Sequence, residues 1–256
     1  MSLANLLTLA ILFFLTSVVG VVTGSNSLVT VPVMFQFGID EKVAVATNMF
    51  GLTFMAIGGT IPFLRQGTIQ ARTLSPLIVV TIIGSAIGAA LVGLITNQAL
   101  KIVVLVGMIA IILFTVLRPV RARDAKPADA IPITANASIP VTALILSFLL
   151  AIYGGLYSGG YVTVLTVTLV AFAGMTFGES IAATKLINVF SSGIATLVFM
   201  WQGLVDYSLG TILAVAMFIG ALVGAHYATK MHEVWLRRIF LATVFLLAIK
   251  TLIDFL

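Results

Sequence analysis

The chain is written twice. Residues about 19–118 recur, weakly but in register, at about 155–254. Gly84 and Gly88 in "IIGSAIGAAL" answer to Gly220 and Gly224 in "MFIGALVGAHY". "FLRQGTI" (63–69) answers to "FMWQGLV" (199–205), and Lys101-Ile102 to Arg237-Arg238, all at one offset of 136. A duplicated apolar chain has to seat two copies of one helical unit in one bilayer. Transporters built this way place their substrate site between the copies.

That the unit is apolar follows from composition. Of 256 residues, 61% are hydrophobic and 8% charged, against roughly a quarter charged in a soluble domain. Charge-free runs cover 1–39, 43–64, 73–100, 102–117, 130–178, 186–205, 207–229 and 239–249, and a bilayer span needs about 20 apolar residues. A water-soluble fold is excluded. The N-terminal run has no preceding Lys or Arg, so a cleaved signal peptide is not expected. The absence of cysteine rules out disulfides, thiolate chemistry and Cys-ligated metals. His226 and His232 are too few for a metal site, and no phosphate loop or nucleophilic triad stands out. No catalytic residue, metal or cofactor is therefore expected, and an enzyme is disfavoured. The net charge of +5 lies mostly in loops and reads as an orientation signal, not as nucleic-acid binding.

The expected fold class is an all-α polytopic membrane protein of two homologous halves. Residues 1–118 form the first repeat, 119–138 a polar linker with several Arg, Asp and Pro residues, and 139–256 the second repeat. Each half opens with a span (about 4–23; about 139–156). A Gly/Ser/Asn break follows ("TGSN" 23–26; "YSGGY" 157–161), then a short apolar piece (27–37; 162–174). Three full spans close each half: 43–64, 73–96 and 100–118, then 181–201, 207–229 and 236–254. Eleven helical residues rise about 16 Å, half the hydrocarbon core. The short pieces thus read as half-length or broken elements, which survive at membrane depth only inside protein or beside a water-filled cavity.

Counting Lys and Arg tests the topology. With four crossings per half the repeats are parallel, and the two sides carry 7 and 6 basic residues. With the short piece also crossing, the halves are inverted and the count becomes 10 to 3. Cytoplasmic loops carry the excess, so the inverted arrangement is expected, with the linker cytoplasmic and both termini outside.

Lys185, in "SIAATKLINVF", is the sharpest candidate for binding an anion. An ionisable group at mid-membrane costs roughly 2.5–3.5 kcal/mol and usually has a purpose; the alternative is a lysine near a helix end that snorkels to the surface. Aligning "ATN" (46–48) with "ATK" (183–185) sets Asn48 opposite Lys185. Thr47, Asn48, Thr184 and Asn188 are polar on otherwise apolar helices, where they bind substrate or bond neighbouring helices. The paired breaks supply Thr23, Gly24, Ser25, Asn26, Tyr157, Ser158, Gly159 and Gly160, since N–H groups at half-helix N-termini bind anions. Glu179 is a candidate for proton coupling, though a carboxylate there also suits a helix N-terminus. Gly84, Gly88, Gly220 and Gly224 form small-xxx-small packing patterns.

The Gly-rich break, then "VTVPVMFQFGIDEKVAVATNMF", a span and "RQGTIQ" resemble the sulfite exporter TauE/SafE family. The matching positions are Gly24, Pro32, Gly38 and Ala44 to Thr47, then Gly159, Gly160 and "AATK" (182–185) in the second half. The chain departs from the pattern in having "SNS" where further glycines are usual, and in lacking the second-half proline. The resemblance implies a multi-pass protein of the bacterial inner membrane, a monomer or homodimer. It implies transport, usually export, of sulfite, thiosulfate or an organosulfonate such as sulfoacetate. An anion channel and a membrane assembly factor remain the alternative readings.

Overall fold

In lipid a backbone has to satisfy its own hydrogen bonds, so charge-free runs become helices. The computed structural model describes residues 3–24, 26–67, 71–117, 139–232, 234–236, 238–239 and 242. Among them are nine helices: α1 (Leu3–Thr23), α2 (Ser27–Gln36), α3 (Glu41–Arg65), α4 (Ala71–Leu94), α5 (Asn97–Leu117), α6 (Val141–Leu156), α7 (Tyr161–Phe172), α8 (Phe177–Trp201) and α9 (Tyr207–Ala228). The described residues hold no strand. Within them α1, α3, α4, α8 and α9 are long and apolar enough to cross a membrane. Ser25, the linker 119–138 and most of the span expected at 236–254 lie outside the described residues.

Helix starts are set by caps. Asp40 accepts from the N–H groups of Lys42 (3.0 Å) and Val43 (3.2 Å), so α3 begins at Glu41 and not at 43. At α8, the Thr176 hydroxyl accepts from Glu179 N (3.2 Å) and the Glu179 carboxylate accepts from Thr176 N (2.8 Å). This capping box starts the helix at Phe177, four residues before the expected 181. Lys185 accordingly sits in the third turn.

The duplication is visible in the backbone itself. Glycines with positive φ come in three pairs, Gly24/Gly160, Gly38/Gly174 and Gly67/Gly203, each pair 136 residues apart. The starts of α3 and α8 keep the same spacing. The offset of 136 therefore runs unbroken through the breaks, which corrects the local shift of one that would set Asn48 opposite Lys185. Asn48 corresponds to Thr184, and Lys185 to Met49.

The halves interlock. The opening helix of each packs along the fourth helix of the other: α1 on α9, α6 on α4. The small-residue patterns make these contacts. A Cβ on Gly84 would lie 2.7 Å from Phe148 O, and one on Gly88 would overlap the Ile152 carbonyl. Likewise a Cβ on Gly220 would lie 2.5 Å from Phe14 O, and one on Gly224 would overlap the Val18 carbonyl. Backbone thus touches backbone at both crossings, as small residues permit between helices in lipid. Between them α3 and α8 pack directly. Thr53 and Thr196 share a hydrogen bond of 3.0 Å, while Gly59 approaches the Lys185 stem, so their contacts run in opposite senses and the two equivalent helices are antiparallel.

Toward the outside α1 presents Leu3, Leu7, Ile11, Leu15 and Val19, spaced by four and exposed, while Leu9, Phe13 and Ser17 are buried. Exposed aromatic side chains flank α9, with Trp201 and Tyr207 before or at its start and Tyr227 and Trp235 at or after its end, where amphipathic rings suit the two bilayer interfaces.

Overpacking a tight crossing costs about 1–3 kcal/mol. Gly88→Val and Gly224→Val should each lower the melting temperature of the detergent-purified protein by several degrees or prevent folding. Gly178→Ala, where nothing lies within 4 Å of the added carbon, should leave it unchanged. Equal melting temperatures for all three would contradict the crossing geometry.

Candidate functional site

Gly24 and Gly160, at φ 70° and 74°, end one helical run and open the next, which a residue with a side chain does only with strain. The two breaks meet face to face in the interior. Thr163 Oγ1 donates to Thr23 O (2.7 Å), the Ser27 and Ser158 hydroxyls share a hydrogen bond (2.7 Å), and Tyr157 OH donates to Ser27 O (3.1 Å). A Cβ on Gly24 would lie 2.7 Å from Val162 Cγ1 and 2.8 Å from Thr163 N. Tyr153 OH donates to Gly159 O (2.7 Å). The carbonyls of Thr23 and Ser27 are thus met by hydroxyls from the opposite half, and that of Gly159 by one from its own, as buried backbone requires.

Asn48 ties the first break to α3. Its Nδ2 donates to Ser27 Oγ (2.9 Å), and its Oδ1 accepts from Thr30 Oγ1 (2.7 Å). The corresponding pair in the second half, Thr166 and Thr184, lies at 3.5 Å.

Where the breaks meet there is a cavity enclosing about 360 Å³ of non-atom space, its opening included. It is narrow, with room for little more than one water in this conformation. Its polar lining is Asn26, Ser27, Ser158, Lys185 and Asn188; Leu52, Met55, Ala56 and Val162 supply apolar wall. Lys185 is 3% exposed and is the one buried Lys, Arg, His, Asp or Glu side chain among the described residues. Its Nζ donates to Gly20 O over a long 3.5 Å. The one ion pair within the described residues, Lys101–Glu41 at 2.5 Å, belongs to other side chains. Lys185 therefore faces the cavity without a carboxylate partner there, and reaches into the bundle instead of snorkelling.

Asn26 precedes α2 in the N-cap position but makes no capping bond. It is 4% exposed, and both ends of its amide lack a hydrogen-bond partner. An unpaired buried amide costs about 1–3 kcal/mol, and this one lines the cavity. The start of α2 brings the positive end of its backbone dipoles to the same place.

The cavity gathers several residues expected from sequence: Gly24, Asn26, Ser158, Lys185 and Asn188 line it. Thr23, Tyr157, Gly159 and Gly160 build the breaks around it, and Asn48 supports it through Ser27. Three others are engaged elsewhere. Thr47 accepts from Asp206 N (3.0 Å), Thr184 donates to Ile181 O (2.9 Å), and Glu179 closes the capping box. Sequence reasoning missed Ser27 and the apolar wall. Their signal, one serine and ordinary aliphatic residues, does not stand out from packing.

Paired broken helices around a buried cation, inside a bundle of lipid-length apolar helices, define a membrane protein of the transporter class. The profile described as sulfite exporter TauE/SafE matches residues 9–251, and the chain belongs to that family. It is 26% identical to the "probable membrane transporter protein ORF9" of Sinorhizobium sp. over 96% of this chain and 93% of the relative. Against the "probable membrane transporter protein YfcA" of Escherichia coli K12 the identity is 24%, over 97% and 91%. Against the "probable membrane transporter protein YdhB" of Bacillus subtilis it is 24%, over 91% and 94%. No solved structure matches the chain significantly.

The Asn48–Ser27 bond should couple the two side chains. In a double-mutant cycle of Asn48→Ala and Ser27→Ala, thermal stability in detergent should show a coupling of roughly 0.6–1.7 kcal/mol, the range for hydrogen bonds between membrane helices. Strict additivity would mean the contact does not form.

Proposed function

We propose that this protein is a secondary transporter that exports a small sulfur oxoanion or organosulfonate across the bacterial cytoplasmic membrane. The observation that carries this reading is Lys185: an ionisable amine 3% exposed, without a carboxylate partner in the cavity, where the two helix breaks converge. Such a charge is tolerated at depth because an anionic ligand compensates it. Neutral hydroxyl and amide groups around it, from Asn26, Ser27, Ser158 and Asn188, suit a tetrahedral oxoanion that accepts several hydrogen bonds. The name of the matching family, sulfite exporter, points to sulfur chemistry.

We infer further that the halves are inverted repeats. The antiparallel run of α3 against α8 supports this, as does the division of basic residues, 9 to 3 once the buried Lys185 is left out, which favours a cytoplasmic linker. Alternating access then follows from movement of one half against the other around a fixed site. The narrowness of the cavity supports a carrier that has to open, over a continuously hydrated pore. The capping box leaves Glu179 with a structural task, so no coupling role is assigned to it.

Reconstituted wild-type protein should show saturable sulfonate or sulfite flux. Lys185→Ala should lower it about tenfold to a hundredfold, the weight of a charged hydrogen bond of about 1.5–3 kcal/mol, with the variant still monodisperse in detergent. Undiminished flux in Lys185→Ala would remove the lysine from the substrate path; absence of saturable flux in wild type would overturn the transporter reading for these anions.

A further inference from the structure

The charge inventory of the cavity says more than that it takes an anion. Its lining holds one ionisable side chain, Lys185; the other polar groups are the amides of Asn26 and Asn188 and the hydroxyls of Ser27 and Ser158. In the break beside it, Tyr157 is a fully buried phenol donating to Ser27 O. A lysine and a singly charged anion leave no net charge in this low-dielectric space. A doubly charged anion leaves a negative charge that only the partial positive charge at the start of α2 opposes, and incompletely compensated interior charge is what buried sites avoid.

Asn26 adds a second constraint. Both ends of its amide are unpartnered, so whichever way the group is turned it offers one N–H donor side and one carbonyl acceptor. The donor suits an oxygen of the ligand. The acceptor needs a hydrogen, and a fully deprotonated oxoanion has none to give. It would instead set lone pairs against the carbonyl and leave that acceptor unsatisfied, at a cost. The hydroxyls of Ser27 and Ser158 bond each other (2.7 Å) and Ser27 also accepts from Asn48 (2.9 Å), whereas neither end of the Asn26 amide has a partner.

Resting on the anion-site reading above, we infer that the cavity selects by charge state: it takes singly charged sulfonyl oxoanions, rejects doubly charged ones, and uses the Asn26 amide to read an N–H or O–H on the anion. Within the sulfur oxoanions this favours hydrogen sulfite and sulfonates without a second ionised group over the sulfite, thiosulfate and sulfate dianions, and over sulfoacetate, whose carboxylate adds a second charge. The single cation sets the charge limit, and Asn26 is the specificity-determining residue for the hydrogen-bearing position.

Three tetrahedral anions of similar size separate the terms at one near-neutral pH: sulfate (dianion), methanesulfonate (monoanion without an N–H or O–H) and sulfamate (monoanion with N–H). Binding is read by calorimetry on detergent-purified full-length protein. Methanesulfonate and sulfamate should bind, with sulfate weaker by at least about 100-fold, the order that an uncompensated interior charge costs. Sulfamate should exceed methanesulfonate by about threefold to tenfold, the weight of one neutral hydrogen bond. In Asn26→Leu that ratio should fall to about one while discrimination against sulfate persists. Sulfate binding as tightly as methanesulfonate would overturn the charge-state inference and leave the anion site standing. Sulfamate binding no tighter than methanesulfonate in wild type, or keeping its advantage in Asn26→Leu, would overturn the role of Asn26. Binding of none of the three would overturn the anion-site reading, and this inference with it. The wild-type comparisons need no variant, so a failure of Asn26→Leu to fold leaves both parts decidable.

Discussion

The constraint on which the rest of this structure depends is the broken backbone. A helix interrupted within a bilayer releases N–H and C=O groups where no water is at hand, and each unmet group is costly. Here the two interruptions answer each other. Thr163 meets the carbonyl of Thr23, Tyr157 meets that of Ser27, and the serines of the two breaks join across the interface. Neither half could carry its break alone. The interlocking of α1 with α9 and of α6 with α4 follows from this need, because it holds the inner ends of both opening helices together with their breaks facing. Glycines at 84, 88, 220 and 224 make that approach close enough to work.

Once the breaks are in place, the site is a consequence of what they leave unmet. Most released groups find hydroxyl partners, but the Asn26 amide does not, and Lys185 reaches only a distant carbonyl. These unmatched groups gather at one cavity. The two halves are not equivalent there. Asn48 in the first half bonds Ser27 and Thr30, whereas its counterpart Thr184 donates to Ile181 O in its own helix and meets Thr166 only at 3.5 Å. The cation is carried by the second half alone, where the first has Met49. The frame is thus duplicated, while the cavity within it is asymmetric and takes its one lysine from the second half.

Much of the frame was legible in the sequence, since glycine spacing, charge-free run lengths and the one polar linker are strong signals. The breaks at 23–26 and 157–161 could be read because Gly and Ser cluster where an apolar run is too long for one span and too short for two. The start of α8 was misplaced by four residues, because Phe177 to Ser180 looks like ordinary connecting sequence until the Thr176–Glu179 box is seen as a cap. The alignment of Asn48 with Lys185 failed because "ATN" and "ATK" match by composition while the backbone keeps 136. Of the site, Lys185, Asn26, Ser158 and Asn188 were identifiable as polar groups in apolar surroundings. Thr47 and Thr184 share that description, yet Thr47 accepts from Asp206 N and Thr184 donates to Ile181 O outside the cavity lining, because side-chain type alone does not say which face of a helix meets the cavity. Ser27 and the apolar wall carried no signal at all, being defined only by which helices come together.

The central claim is that the meeting point of the breaks lies on an anion path. The absence of cysteine in this chain makes a single introduced thiol a clean reporter. Ser158→Cys in membrane vesicles, treated with small anionic and cationic methanethiosulfonate reagents of similar size, tests the claim directly. The account predicts modification that is faster with the anionic reagent and slowed by methanesulfonate. A thiol that neither reagent reaches, or one that both modify equally with no protection by the anion, would contradict it.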